Sequence, residues 1–300
     1  MALVPLDDRD GQIWWDGALV PWRDAKLHVL SHGLHYASAV FEGERSYNGH
    51  IFKLREHTER LIESGRILGF AIPFSAQQID DACAEVLTSN GMTDAYVRPL
   101  AWRGAEQLSV SAHQTRIHLM VAAWAWPNLF GADRLKGIRL GIGPWRRPPP
   151  ETAPIRSKAT GLYMTGTLSK HAAEAAGFDD ALMLDWRGQV SEATGANIFF
   201  VIDGALHTPI PDCFLDGITR RTVMALARKR GIAVIERVFM PDEMQLAQEV
   251  FLAGTAAEVT PVRQIDDLSF TPGPITASLL ADYEALVRMP PDQVAARLAA

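Results

Sequence analysis

Several things are scarce in this 300-residue chain, and each scarcity removes a class of protein. Two cysteines, Cys83 and Cys213, build neither a disulfide framework nor a zinc pattern. The longest uninterrupted apolar run is Leu119–Trp126, far short of the roughly 18 residues that suggest a membrane span. The first residues lack the basic start and long apolar stretch of a signal peptide. Basic residues are outnumbered, 29 against 35, so the net charge of −6 disfavours a protein that neutralises phosphate backbones. There is no Gly-x-Ser-x-Gly elbow, no Gly-Lys-Ser/Thr phosphate loop and no dinucleotide fingerprint in Gly137, Gly141 and Gly143. No repeat of 20–50 residues and no low-complexity tract is present. With 48% hydrophobic residues, what remains is a reduced, soluble, cytoplasmic globular protein of one large or two modest domains.

Strand-like and helix-like segments alternate along the chain. Asp16-Gly17 and Asn48-Gly49 are hairpin signals, flanked by strands at Gln12–Trp14 and Ala18–Val20, and at Val40–Tyr47 and His50–Phe52. Apolar spacing predicts helices over Leu54–Leu68 and Ile79–Ser89, then strands over Tyr96–Trp102 and Arg116–Trp126. The turn-rich stretch 127–137 reads as an interdomain loop, separating a small N-terminal α/β domain (1–126) from a larger C-terminal one (138–300). In the second part, Ile138–Ile142 reads as a strand, while the four prolines of Arg146–Pro154 exclude an interior strand or helix. Helices are predicted over Gly161–Ala176, Ile218–Arg230 and Ile275–Val287, and strands over Asp180–Asp185, Asn197–Ile202 and Val250–Ala253. The fold class is α/β in the mixed α+β sense, with mixed or antiparallel sheets.

Lysine is also scarce, with only six in the chain: Lys26, Lys53, Lys136, Lys158, Lys170 and Lys229. Lys158 stands apart, after a rigid proline loop and before a helix start, where partial desolvation lowers an amine's pKa toward a nucleophilic form. An exposed lysine is the ordinary alternative. Glu192, amid small residues before an apolar strand, is either a turn carboxylate or a buried anion that needs a cationic partner. Asp216-Gly217-Ile218-Thr219-Arg220 opens a helix with free amides and a hydroxyl suited to a phosphate, or with a plain cap. Gly254-Thr255-Ala256 follows a strand with small residues that admit a ligand near the backbone, or simply closes a turn. His32 and His35 lack a third ligand and read as turn or packing residues, so no metal site is expected; Arg146, Arg147 and Arg156 form only a weak basic cluster.

Taken in order, from His32-Gly33-Leu34-His35-Tyr36 through Val40-Phe41-Glu42-Gly43 to Gly254-Thr255-Ala256, these segments resemble the class IV (fold type IV) pyridoxal-phosphate aminotransferases. The resemblance is strongest to the branched-chain amino acid aminotransferases and covers nearly the whole chain. It implies a two-domain fold with pyridoxal 5'-phosphate between the domains, the C-terminal one binding the cofactor, and a site completed across a homodimer interface or within a higher homo-oligomer. It implies that Lys158 forms the Schiff base with the cofactor and that Glu192 pairs with its ring nitrogen. It also implies that Arg60, Ile218, Thr219 and Thr255 contact the phosphate and that Tyr163 lies near the ring oxygen. Phe41, Gly43 and Arg45 fall on one face of a strand, as do Tyr96 and Arg98, and the resemblance places them in the substrate pocket with Tyr36, Val110, Thr255 and Ala256. Arginine's fork suits a planar carboxylate, so the expected reaction moves the amino group of leucine, isoleucine or valine to 2-oxoglutarate. Small-molecule amino acids and 2-oxo acids are thus the expected partners, without nucleic acid or membrane.

Two departures touch substrate choice: Leu129 and Phe130 stand where typical members carry a tyrosine, and Ser109 stands at a common glycine. D-amino acid or (R)-amine transamination is therefore an alternative, against which Arg98 argues. An aminodeoxychorismate-lyase-like enzyme and a scaffold without cofactor are the remaining readings.

Overall fold

The computed structural model describes residues 5–126 and 134–299, which fall into two compact units. One takes in the described residues up to Trp126 together with Ser157–Gly161; the other holds the described residues before and after that segment. Leu129 and Phe130 lie outside the described residues, as does the loop from 127 to 133.

The first unit runs β1 (Gln12–Trp15), β2 (Ala18–Pro21), α1 (His32–Tyr36), β3 (Ala39–Phe41), β4 (Glu44–Tyr47), β5 (His50–Ile51), α2 (Leu54–Ile67), α3 (Ala76–Ser89), β6 (Ala95–Arg103) and β7 (Ile117–Trp124). Asp16 and Asn48 sit at positive φ before Gly17 and Gly49, as tight hairpins require. The strands form one antiparallel sheet in the order β2-β1-β7-β6-β4-β5, with β3 also on β6. The apolar stripe of α2 and the buried side of α3 cover one face, enclosing Trp14, Val40, Leu61, Ile79, Val86, Val97, Leu119 and Val121. Ser75 and Gln78 start α3 with a reciprocal capping box that fixes its first turn.

The expected strand Val40–Tyr47 is two strands. Pro99 has no N–H to give Glu42, so the ladder breaks at Glu42-Gly43, although the Glu42 amide still bonds the Pro99 carbonyl at 2.9 Å. The register survives the break, with Phe41 opposite Leu100 and Arg45 opposite Tyr96, so the two-residue alternation carries through.

The second unit runs β8 (Ile138–Arg147), α4 (Met164–Ala175), β9 (Asp180–Asp185), β10 (Val190–Ala193), β11 (Asn197–Ile202), β12 (Ala205–Pro209), α5 (Ile218–Lys229), β13 (Val234–Arg237), β14 (Glu249–Gly254), β15 (Glu258–Ile265), β16 (Leu268–Ser269), α6 (Pro274–Val287) and α7 (Pro291–Ala299). Its sheet is mixed: β8 lies parallel to β9 and β15, β12 parallel to β13, and the other pairs are antiparallel. A β10–β11 pairing closes six of these strands on themselves around Leu140, Leu182, Ile198, Phe200, Leu252 and Val262. No helix among the described residues is long and apolar enough to cross a membrane.

Two expectations change here. Arg146 and Arg147, set aside with the prolines after them, continue β8 as an interior strand. A register shift between Ile142 and Arg146 takes Pro144 out of the ladder, and pairing resumes at Arg146–Leu184. The helix expected from Gly161 begins as α only at Met164, after a 3-10 turn.

Candidate functional site

In the first unit, Lys158 rides on an extended segment that is pinned by its main chain. Its amide donates to Ser64 Oγ at 2.9 Å, its carbonyl accepts from the Phe41 amide at 3.1 Å, and Ser157 Oγ donates to the Ser64 carbonyl at 3.0 Å. Ser157 and Ala159 are buried, so the lysine has a fixed root. Its Nζ stands 5.1 Å from the centre of the Phe41 ring.

The face of the sheet turned away from α2 and α3 collects Phe41, Gly43, Arg45, Tyr96 and Arg98, because Phe41–Leu100 and Arg45–Tyr96 are cross-strand pairs. Arg98 stacks over Phe41, 4.6 Å from its centroid, and donates to the Tyr96 hydroxyl at 3.0 Å. A Cβ on Gly43 would meet that hydroxyl at 2.0 Å, so only glycine lets Tyr96 lie across the strand. Trp124 and Trp126 pack on Tyr96 at 5.1 and 4.7 Å. A cavity of about 490 Å³ opens on this face, walled by Ile13, Trp22, Met120 and Trp124, with Arg98 and Lys26 supplying positive charge. Arg98 has no carboxylate partner among the described residues.

The opposite face carries a cluster that the sequence did not single out. Glu42, fully buried, accepts from Arg60 Nε at 2.6 Å and Nη2 at 2.7 Å, and from His57 Nδ1 at 2.8 Å. Burial works to raise the Glu42 carboxyl, but the Arg60 guanidinium and then His57 hold it far below the usual carboxylate range. Burial pushes His57 below its ordinary value against the pull of Glu42, which keeps the imidazole neutral. Glu44, two residues on and also buried, has no N–H or O–H donor among the described residues. Burial, with Glu42 and Asp80 nearby, raises its carboxyl well above the ordinary value. Arg60 is thus placed on α2 facing an acid rather than standing alone. The one sequence signal for this was two glutamates sharing a strand face against a helix.

Tyr36, about half exposed, stacks on His32 at 4.6 Å, and His32 Nε2 reaches the carbonyl of Ser109 at 2.8 Å, beside the exposed Val110. Tyr36 and the loop that carries Ser109 and Val110 are thereby held to one surface.

In the second unit, Glu192 lies where β10 meets both β9 and β11, opposite Met183 and Asn197, at a bulge that re-aims its side chain. Its cationic partner is Arg147: Nη2 lies 3.1 Å from Glu192 Oε1 and also donates to the carbonyls of Ala193 and Thr194. Asn197 Nδ2 donates to Glu192 Oε2 at 3.3 Å and to the Leu215 carbonyl at 3.1 Å, which ties the carboxylate to the start of α5. That start has no side-chain cap. A Cβ on Gly217 would strike Asn197 Oδ1 at 2.2 Å, so the loop comes as close as glycine permits. Ile218 and Thr219, both buried, begin the helix, whose leading amides have no intrahelical acceptor. Gly254 backs onto Ala196, where a Cβ would lie 3.1 Å from the Ala196 Cβ, and it leads into the Thr255-Ala256 turn. Tyr163 precedes α4, next to Leu162, whose carbonyl accepts from Arg147 at 3.4 Å. The strand end at Asn197 therefore gathers Glu192, the α5 start and the Gly254 turn. Arg147 and Asn197, which hold Glu192, were not foreseen from sequence.

A fixed amine, a held carboxylate, uncapped amides and an arginine on an aromatic ring suit the handling of an anionic, carbonyl-bearing molecule. The sequence profile described as amino-transferase class IV matches residues 39–265. The branched-chain-amino-acid aminotransferase of Pseudomonas aeruginosa is 40% identical over 292 residues, 95% of this chain and 95% of that protein. Among solved structures, the branched-chain aminotransferase from Thermoproteus uzoniensis with norvaline superposes with a TM-score of 0.90 at 36% identity, covering 95% of this chain and 97% of that one. The branched-chain amino acid aminotransferase from Thermobaculum terrenum, solved in its PLP-bound holo form, gives 0.85 at 33% identity, covering 93% and 94%.

Proposed function

This chain belongs to the class IV aminotransferases, and on that premise we propose that it moves the amino group of branched-chain L-amino acids to 2-oxoglutarate. Its cofactor is pyridoxal 5'-phosphate, which when bound supplies the electron sink for bonds breaking at the substrate Cα. The second unit fits such a group: an uncapped helix start at Gly217, where a Cβ has no room, and a carboxylate held in place by Arg147 and Asn197. We assign the phosphate to Ile218, Thr219 and Thr255 together with Arg60, and the region of the ring oxygen to Tyr163. Glu192 keeps the ring nitrogen protonated by offering it a negative charge. Lys158 holds the cofactor covalently. Freed from the cofactor, its amine would take the proton from the substrate Cα and deliver it to the cofactor carbon that had carried the aldehyde, as a base rooted by its own main chain can do.

The observation that carries the substrate reading is Arg98 laid over Phe41 without a carboxylate partner among the described residues, on a face that also presents the rings of Tyr96 and Trp124. Such a face accepts an aliphatic side chain against Phe41 and a carboxylate on the Arg98 fork, which an enzyme alternating between a branched-chain amino acid and a dicarboxylate needs. Gly43 keeps room there, Arg45 adds a second cation, Tyr96 orients Arg98, and Tyr36, Val110, Thr255 and Ala256 complete the pocket in this reading. Homodimerisation belongs to it too, supported by the exposed apolar side chains Val29, Leu30, Leu34 and Val110. Light scattering should then give at least twice the chain mass.

The deciding experiment is a donor panel on purified protein with 2-oxoglutarate as acceptor: leucine, isoleucine, valine, D-alanine and (R)-1-phenylethylamine. Turnover of the first three is expected. Turnover confined to the last two would replace this reading by D-amino acid or (R)-amine transamination.

A further inference from the structure

We propose that Glu42 is a positioning residue for Arg60, setting the guanidinium in advance in the orientation that receives the cofactor phosphate. This rests on the reading of Arg60 as a phosphate anchor. Arginine has five N–H donors in a planar fork. Glu42 takes Nε and one hydrogen of Nη2, at 2.6 and 2.7 Å, along one edge of the plane. The hydrogens of Nη1 and the second of Nη2 are thereby aimed away from Glu42, and the plane cannot turn without breaking both bonds.

The carboxylate is itself held from three sides. It sits on the strand break fixed by Pro99, it accepts from His57 Nδ1 at 2.8 Å, and it faces the Gly43 amide at 3.3 Å. His57 and Arg60 are three residues apart on α2, so one acid fixes two neighbouring side chains of the same helix face. Glu42 has no exposed surface, so water does not compete for its oxygens. A flexible arginine so constrained has less freedom to lose when a phosphate arrives.

The same contact has an opposing effect, because a carboxylate paired with Arg60 offsets part of the charge a dianion would meet. The two effects predict opposite signs for Glu42→Gln. If aiming dominates, apo-protein carrying Glu42→Gln binds pyridoxal 5'-phosphate about tenfold more weakly, the scale typical of losing a partner that orients a ligand residue. If charge offset dominates, the same variant binds it more tightly.

The test measures equilibrium affinity of apo-protein for pyridoxal 5'-phosphate and, separately, for pyridoxal, which lacks the phosphate. Arg60→Ala, Glu42→Gln, the double variant and Glu42→Asp are compared. The aspartate keeps the charge but is one methylene too short to hold both nitrogens, and it serves where the glutamine variant does not fold. We expect Arg60→Ala to weaken the phosphate ester by about a hundredfold and pyridoxal little. Glu42→Gln and Glu42→Asp should each lose about tenfold for the ester alone, and the double variant should be no weaker than Arg60→Ala. Unchanged or tighter binding of the ester by both Glu42 variants, with Arg60→Ala still selective, overturns the positioning role and leaves the anchor standing. An Arg60→Ala variant that weakens both ligands equally removes the anchor, and the positioning role with it.

Discussion

Each unit holds a glutamate–arginine pair near its candidate site residues, and the two are built in opposite ways. In the first unit, both oxygens of Glu42 are committed to Arg60, with His57 added, and the acid is sealed from water. In the second, Arg147 meets Glu192 through a single nitrogen at 3.1 Å and gives other bonds to the carbonyls of Ala193, Thr194 and Leu162. The acid serves the arginine in one case. In the other, the arginine secures the main chain around the acid, whose second oxygen accepts from Asn197 at 3.3 Å. A carboxylate used up by its partner can only orient. One at a bulge, with a different partner for each oxygen, fits the role proposed for Glu192 beside a pyridinium nitrogen.

The largest effect that bears on this contrast comes from Lys158, which shares the first unit with the fully committed pair. Lys158→Ala should abolish transamination and the bound-cofactor absorbance near the visible edge. Loss of proton transfer alone costs about 10²–10⁴-fold, and the covalent link is lost as well. Normal turnover in that variant, or a borohydride-reduced peptide that maps to another lysine, would remove the chemistry from this segment.

The contrast itself breaks or holds at Glu192. Glu192→Gln keeps the volume but not the charge, so turnover should fall by about 10²–10³-fold, the scale of losing one preorganised charge at a reacting centre. Cofactor affinity, set mainly at the phosphate in this reading, should change only a few-fold. Full turnover in that variant would mean that Glu192 exists for Arg147, as Glu42 does for Arg60, and the two pairs would be alike.

The sequence and the folded chain agree where a local signal suffices. Asp16-Gly17 and Asn48-Gly49 made their hairpins, the apolar stripe of Leu54–Leu68 became α2, and Gly217 opened α5. Phe41, Gly43 and Arg45 share a face as alternation requires, because the register survives the break opposite Pro99. What stayed illegible depends on distant partners. Arg147 looked like part of a proline-rich loop, since nothing local says that a shifted register carries β8 past Pro144. Glu42 reads as the third residue of the expected strand Val40–Tyr47, and only the packing of α2 onto that segment reveals Arg60 and His57 above it. Strand β15 escaped notice because Pro261 interrupts its pattern, although it pairs with β14 from Gly254–Glu258 to Val250–Val262.

The smallest expected effect isolates burial from pairing, since Glu44 is a carboxylate as buried as Glu42 but without an arginine of its own. Its carboxyl is raised well above the ordinary value by burial and by Glu42 and Asp80. Below about pH 4.3, the model-peptide value, Glu44 is protonated in both folded and unfolded chains and costs nothing extra. As pH climbs, the unfolded chain ionises while the folded one does not, so this residue drains stability until its folded pKa is reached. Each pKa unit of elevation is worth about 1.4 kcal/mol. Glu42 runs the other way: its lowered carboxyl stabilises the fold above the unfolded value, and that contribution fades as pH falls. Glutamine at position 44 cannot ionise, so any fixed cost of its amide shifts the melting temperature by a constant while the contribution of Glu44 to the pH slope disappears. The melting temperature of Glu44→Gln should therefore gain on the parent as pH rises above the unfolded carboxyl value, and stop gaining once the folded value is passed. A constant offset at every pH above the unfolded value would mean that the Glu44 carboxyl is not raised in the fold and that burial without an arginine does not distinguish it from an exposed acid.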